Sequence, residues 1–475
     1  MKIHKINDFL WEIPKEGGMR VPGRIYASEV MLQSIMNDNA PQQVANVAHL
    51  PGIINYSMAM PDIHWGYGFS IGGVAAFDMD EGVISPGGVG YDINCGVRLL
   101  KTGLEKQDVQ GKVKEIIRAL FVHIPTGVGS KSELRVSKQE LMQVMRKGAR
   151  WAIERGYGSA SDLERIEEQG EMQGADPSAV SEKAITRGQP QLGTLGSGNH
   201  FVELQYVSDV YDQKIAQRLG LYADQITLTI HTGSRGLGYQ VCDDSIRKML
   251  RASEKYGIDL PDRQLCCAPI NSPEGKDYFS AMACAVNYAF ANRQIITHWA
   301  QDALEQSLRI SPGDLRMNTV YEVAHNIAKF EEHSIDGSKR KVCVHRKGAT
   351  RAFGPGRPEL PAEYRDIGQP VLIPGDMGRC SYVLTGTSGA MEQTFGSSCH
   401  GAGRVLSRNK AIKKAKGRSI DIELQEKGIY VQATGRRTLA EEMPEAYKDV
   451  SQVVDAVSGA HISHKVARLK PLGAI

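Results

Sequence analysis

The chain has 475 residues, of which 41% are hydrophobic and 23% charged, with a formal net charge of +3. This is the make-up of an ordinary globular protein, and so small a net charge excludes a global basic field, so any contact with nucleic acid has to be local. No apolar run approaches the roughly 20 residues a membrane span needs, and the opening "MKIHKINDFLWEIPKEGG" has no apolar signal core, so the sequence reads as cytoplasmic, without a membrane partner.

In chain order, residues 60–98, "MPDIHWGYGFSIGGVAAFDMDEGVISPGGVGYDINCGVR", are glycine-dense with short apolar runs, which predicts short strands and tight turns. Residues 110–175 carry helical periodicity and many charges, in "GKVKEIIRALF" and "SKQELMQVMRKGARWAIERGY", and read as a helical insertion. "QITLTIH" (225–231) alternates as a strand ending on His231, and 275–308 predicts one long, mostly apolar helix. Strands are further predicted at 341–346, 370–374, 381–386 and 428–434. Helices and strands mix without a regular βαβ repeat, which argues for an α+β fold: one large domain spanning 1–475, with mixed sheets, surrounding helices and the insertion at about 110–175.

Five histidines share a setting. His200 lies in "GTLGSGNHFVE", His231 in "LTIHTGSRGLG", His325 in "VYEVAHNIAKF", His345 in "VCVHRKGATR" and His400 in "GSSCHGAGR". Each follows or interrupts an apolar or glycine-rich run. One alone reads as a hydrogen-bonded core histidine; five together point to metal, for which neutral imidazole is the commonest ligand. "YDINCG" adds Asp92 and Cys95 from one turn, and a thiolate can bridge two ions. Asp92, Cys95, His200, His231 and His325 would therefore suit a two-metal site, for which thiolate and imidazole by themselves favour zinc. D-x-x-C is a weak pattern, so an inert thiol and a turn-capping carboxylate remain the alternative. The eight cysteines include no C-x-x-C pair and form no disulfide framework; most read as buried small hydrophobes.

"GTLGSGNH", "HTGSRGLG" and "GSSCHGAGR" are loops whose backbone N–H groups can cradle an anion. Arg235, Arg351 and Arg404 sit in such loops, and "VHRKGATR" adds Arg346 and Lys347, as candidate phosphate clamps. No Walker or Rossmann fingerprint is present. A histidine outside the ligand set can attack phosphorus, and the small neighbours of His400 suit the α-phosphate of a nucleotide. The basic run "SRNKAIKKAKGR" (407–418) reads as a solvated helix face or a contact to a nucleic-acid backbone. "HISH" (461–464) reads as structural.

The segments "GVISPGGVGYDINCGVR", "LGTLGSGNHFVE", "HTGSRGLG", "AHN", "VHRKGATRAF" and "FGSSCHGAGRVLSR" resemble the hallmark blocks of the RtcB family of RNA ligases, from about residue 8 nearly to the end. The resemblance implies a GTP- and manganese-dependent enzyme joining RNA 3′-phosphate or 2′,3′-cyclic phosphate ends to 5′-hydroxyl ends, in tRNA splicing or RNA repair. By its pattern Asp92, Cys95 and His200 would hold one Mn²⁺, with Cys95 bridging to a second completed by His231 and His325. His400 would be the guanylylated nucleophile. The guanosine nucleotide would lie against Asn199, His200, Phe201, Val202, Glu203, His325, Asn326, Pro374, Gly375, Asp376, Met377, Ser381, His400, Gly401, Ala402 and Gly403. Its partners would be RNA ends, tRNA halves among them, and in some relatives an activating protein; a monomer is expected. Two positions depart from the pattern. Some members end on a lysine that touches guanine, where this sequence reads "KPLGAI", and some carry serine where Asp376 stands. Two other readings compete: a dinuclear metal phosphoesterase that only opens cyclic phosphates, and a nucleic-acid-binding protein with a structural metal site.

Overall fold

The strand-forming segments assemble into two large sheets in the computed structural model, which describes residues 1–475. The seven-stranded sheet runs, edge to edge, His4–Asn7, Leu10–Ile13, Gly23–Tyr26, Ile53–His64, Ile71–Asp78, Ser338–Lys347, Asn326–Ile335. The eight-stranded sheet runs Asn318–Ala324, Gly96–Glu105, Gln225–Thr232, Phe201–Val210, Ser463–Ala474, Ser381–Gly386, Pro370–Ile373, with Tyr430–Val431 added beside Ser463–Ala474. Each sheet is antiparallel apart from one parallel pairing. Sheets of this kind with helices packed around them make the fold α+β, as the mixed pattern predicted.

The predicted long helix spans Pro273–Leu308. Ser272 caps its start, accepting from Gly275 N at 3.0 Å, and Arg309 ends it in the left-handed region at φ 58°. Residues 281–297 are buried on every side. A helix apolar all round belongs in the interior, and small residues such as Ala281, Ala283 and Ala285 let neighbours approach it. Among its buried polar groups, Asn287 donates to the carbonyls of Met145, Arg146 and Met172, which ties in the helical stretch that begins after Glu105.

Between Gly96–Glu105 and Phe201–Val210 the regular structure is helical, in short pieces from Lys106–Val109 to Glu182–Gly188. Two predicted elements differ in length. The glycine-dense segment near residue 60 belongs to a 12-residue strand, Ile53–His64, bulged in register between Ile54 and Met58 and again between Ala59 and His64, so its irregular composition bends a long strand instead of ending it. At 428–434 only Tyr430–Val431 is a strand; it pairs in parallel with Gly473–Ala474, beyond the end of that strand's pairing with Ser381–Gly386.

Candidate active site

Four neighbouring strands of the eight-stranded sheet end at one edge. Asn318–Ala324 runs into His325, Gly96–Glu105 starts just after Cys95, Gln225–Thr232 carries His231 next to its last residue, and Phe201–Val210 starts just after His200. Because these strands alternate in direction, residues far apart in sequence meet there: His231 is in register with both Val97 and Phe201, and Ala324 with Gly96. His325 is also where the chain leaves this sheet for the other, entering Asn326–Ile335.

Cys95 Sγ lies 3.2 Å from His231 Nε2 and 3.6 Å from His200 Nε2, and His200 Nε2 lies 2.7 Å from Asp92 Oδ2. Two donor groups, Asp92–Cys95–His200 and Cys95–His231–His325, each with atoms within 4.8 Å of one another, share Cys95. Both ring nitrogens of His325 and Nδ1 of His231 are buried without a hydrogen-bond partner. Leaving a buried polar group unpaired costs about 1–3 kcal/mol, so this cluster is unfavourable unless a ligand engages it. A thiol, three imidazoles and a carboxylate are a donor set that fits metal ions. Burial pushes both His231 and His325 well below the usual histidine range, keeping them neutral. Burial, and then the Asp92 charge, push the Cys95 thiol up; a divalent cation reverses that and makes the thiolate the stable form.

The central helix fixes the turn that carries Asp92 and Cys95. Arg293, fully buried, donates to Asn94 O (2.8 Å), Asn94 Oδ1 (3.0 Å) and Thr232 O (2.7 Å), and pairs with Glu322 at 2.7 Å. Arg98 pairs with the same carboxylate from the other side. Asn94 takes φ 50°, a conformation asparagine tolerates better than most residues. One helix turn therefore ties together the ends of two strands and the turn between two candidate ligands.

His400 comes from the second sheet's side. It follows the short strand Ser397–Cys399, paired with Ala349–Arg351, and its ring centroid is 5.2 Å from that of His325. The fully buried Asp62, near the end of Ile53–His64, accepts from His400 N at 3.0 Å and contacts His400 Nδ1 at 2.5 Å through the same oxygen, Oδ2. Burial works to raise the Asp62 carboxyl, but the His400 charge and hydrogen bonds outweigh it and hold the group below its ordinary value. A carboxylate can only accept, so Nδ1 carries the proton, and in the neutral ring Nε2 is left with its lone pair and no protein partner. Gly403 is required here: at φ 73°, a Cβ would lie 2.3 Å from Asp62 O.

His400 lines a cavity between the sheets. Of the residues expected at a nucleotide, Asn199, His200, Phe201, Glu203, Pro374, Gly375, Asp376, Met377, Gly401, Ala402 and Gly403 line it as well. Val202, His325, Asn326 and Ser381 do not. Val202 faces the opposite side of its strand and is fully buried in a hydrophobic cluster. Ser381 backs the wall, its Oγ accepting from Gly375 N and Gln205 Nε2. Asn326 is a brace, donating to Asp92 O and accepting from Gly348 N. Burial raises Glu203 to about 8 and Asp376, which faces Arg379 at 3.2 Å, to about 6, so of the two carboxyls in the cavity Glu203 is the one that tends to keep its proton at neutral pH.

Most candidate phosphate clamps are occupied elsewhere. Arg346 is fully buried and binds Glu331 with both terminal nitrogens, Lys347 binds the backbone carbonyls of Tyr67, Phe69 and Gly87, and Arg351 pairs with Glu168. Arg404 binds Glu442, the Tyr447 hydroxyl and two carbonyls. Arg235 is hydrogen-bonded to Thr194 and is drawn toward the Asp92 charge. His345 is a core residue: its ring packs against Phe69 and Phe77 and its Nε2 accepts from Ser85 N. In the basic run, Arg408–Lys414 is a helix with Lys413 and Lys414 exposed, and Arg408 reaches the cavity. The sequence reading missed Asp62, His64, Glu442 and Tyr447 at this site; the one local signal was the D-x-H spacing of Asp62 and His64.

Residues 43–475 match the family described as tRNA-splicing ligase RtcB. The chain is 58% identical to the protein named tRNA-splicing ligase RtcB of Archaeoglobus fulgidus, over 99% of this chain and 98% of that one. It is 55% identical to the protein of the same name in Thermococcus kodakarensis, over 99% and 98%, and 54% identical to that of Methanococcus maripaludis, over 100% and 99%.

Proposed function

Since the chain belongs to the RtcB family of tRNA-splicing ligases, we propose that it is an RNA ligase that joins 3′-phosphate or 2′,3′-cyclic phosphate ends to 5′-hydroxyl ends, using GTP and manganese, in tRNA splicing or RNA repair. The observation that carries the reading is the His400–Asp62 pair. It leaves one imidazole nitrogen with its lone pair at the wall of a cavity and beside the candidate metal ligands. A dinuclear phosphoesterase that only opens cyclic phosphates would not need His400 as a nucleophile.

In the proposed cycle His400 Nε2 attacks the α-phosphorus of GTP. The N–P bond forms as the bond to pyrophosphate breaks, and pyrophosphate leaves with the electron pair. A 2′,3′-cyclic end is first opened by water, which adds to phosphorus as the bond to the 2′-oxygen breaks; an oxygen of the RNA 3′-phosphate then takes the GMP group, restoring the free imidazole, and the 5′-hydroxyl oxygen displaces GMP, its proton passing to solvent. Asp62 holds the Nδ1 proton throughout. Asp92, Cys95 and His200 would hold one cation, and Cys95, His231 and His325 a second; when bound, such ions neutralise phosphate charge and orient the reacting groups. Glu203 and Asp376 would face the guanine, while the glycines after His400 allow a phosphate close to the backbone. No helix is long and apolar enough to cross a membrane; the reading places the enzyme in the cytoplasm, acting as a monomer, with an activating protein as an optional partner.

The test is to incubate the protein with labelled GTP and Mn²⁺. A covalent, acid-labile, base-stable GMP adduct that maps to His400 and disappears in His400→Ala is expected. Opening of cyclic phosphates with no adduct would overturn the ligase reading in favour of a phosphoesterase.

A further inference from the structure

We propose that Trp65 is a stacking platform for the nucleobase adjoining the RNA end that reacts at His400; the inference rests on the ligase reading above. Trp65 is 58% exposed, whereas Trp11 and Trp151 are 8% and 3% exposed. It directly follows His64, which lines the cavity and whose Nδ1 contacts Asp62 O at 2.9 Å. It lies three positions after Asp62, so its Cα is within about 11 Å of that of the residue orienting His400. One sugar separates a base from its own 3′-phosphate, so a ring at this place is within reach of the terminal nucleotide.

The exposed indole stands on a rigid loop. Gln43, itself buried, donates to Gly66 O (2.7 Å) and Gly68 O (3.0 Å) and accepts from Gly66 N (3.0 Å). Gln264 accepts from Gly68 N at 2.9 Å, and Phe69 N donates to Gly87 O. Two glutamines from distant segments thus clamp the loop just beyond Trp65, and the ring stays outside the core although the neighbouring backbone is fixed. A fixed ring loses little freedom when a base covers it. Arg408, with 56% of its side chain exposed and its Nε 3.7 Å from Glu442, supplies a cation at the cavity that His64 lines. A ring and a charge are what a single strand needs for sequence-tolerant binding.

The test uses the full chain and RNA oligonucleotides ending in a 3′-phosphate. Trp65→Ala is expected to raise the RNA concentration for half-maximal ligation about 5- to 150-fold, while the GMP adduct forms at the wild-type rate. Trp65→Phe should recover most of the loss. RNA is expected to quench the wild-type tryptophan fluorescence, and the quench should shrink in Trp65→Phe. An RNA whose terminal nucleotide lacks its base should bind the wild type and Trp65→Ala equally. If Trp65→Ala ligates with the wild-type RNA requirement, or still loses affinity for the baseless RNA, the stacking role is overturned; the second result would point to a partner protein or a folding role for the indole. If the wild type forms no adduct, the ligase reading falls and this inference with it.

Discussion

Replacing Asp62 with asparagine tests the core of the catalytic proposal with almost no change of shape. One oxygen, Oδ2, serves both His400 N and His400 Nδ1. A hydrogen bond to a charged group contributes about 1.5–3 kcal/mol and a neutral one about 0.5–1.5 kcal/mol, so losing the charge alone removes about 1–1.5 kcal/mol. That sets a floor of about 5- to 10-fold on the rate of adduct formation. The amide can also turn its NH₂ toward the ring. Nδ1 then becomes the acceptor, the proton moves to Nε2 and the lone pair facing the cavity is lost; a wrong histidine tautomer costs about 10⁴-fold in serine proteases. The expected loss therefore lies between about 5-fold and 10⁴-fold. Single-turnover formation of the labelled adduct measures it, with nucleotide affinity determined separately and expected to stay near wild type. Because Asp62 is held below the ordinary carboxylate range, the pairing is intact at neutral pH and fails only in acid. Asp62→Asn forming the adduct at the wild-type rate would refute the argument.

Cys95→Ser should lower the manganese retained per chain, measured by elemental analysis after gel filtration, and abolish the adduct; full metal content would remove Cys95 from the ligand set. Glu203 lies at about 8 in the folded protein against an ordinary 4.5, so the folded state holds its proton more tightly. That stabilisation is complete below about 4.5 and is lost as pH rises through about 8, weakening the nucleotide-free fold by up to about 5 kcal/mol between pH 5 and 9. Denaturant titrations should show the slope, and Glu203→Gln should flatten it. Arg293→Met leaves Glu322 with Arg98 alone and releases Asn94 and Thr232, so a destabilisation of about 3–5 kcal/mol is expected from the same titrations. Replacing Lys413 and Lys414 together by alanine should reduce the slope of log RNA affinity against log salt by about 1.4, if each contacts one phosphate of a single strand; an unchanged slope would assign them to the solvated surface.

What could be read in the sequence were residues whose own neighbourhood announces their role. Cys95, His200, His231 and His325 sit beside strand ends next to glycine or small polar residues, and the antiparallel order of four strands brings them together. The same local pattern misled at His345, because a sequence does not say that Phe69 and Phe77 will close over it. It misled again at Arg346, Arg351 and Arg404. Their carboxylate partners, Glu331, Glu168 and Glu442, lie 15, 183 and 38 residues away, and only the folded chain shows that these cations are already neutralised. Asp62 was invisible for the same reason, 338 residues from the histidine it holds. Fold class was easier, since hydrophobic period and length identify the central helix and the longer strands. Bulges in Ile53–His64 are set by tertiary pairing and leave no simple mark.

The strand Ser463–Ala474 is inserted between Phe201–Val210 and Ser381–Gly386, inside its sheet and not at a margin. During synthesis the segments on either side of it emerge from the ribosome first, with a gap between them and bare backbone along both borders. Such borders invite pairing with other chains. The nascent protein is therefore prone to mispairing until Ser463–Ala474 arrives, and chaperone dependence should be greatest in that interval.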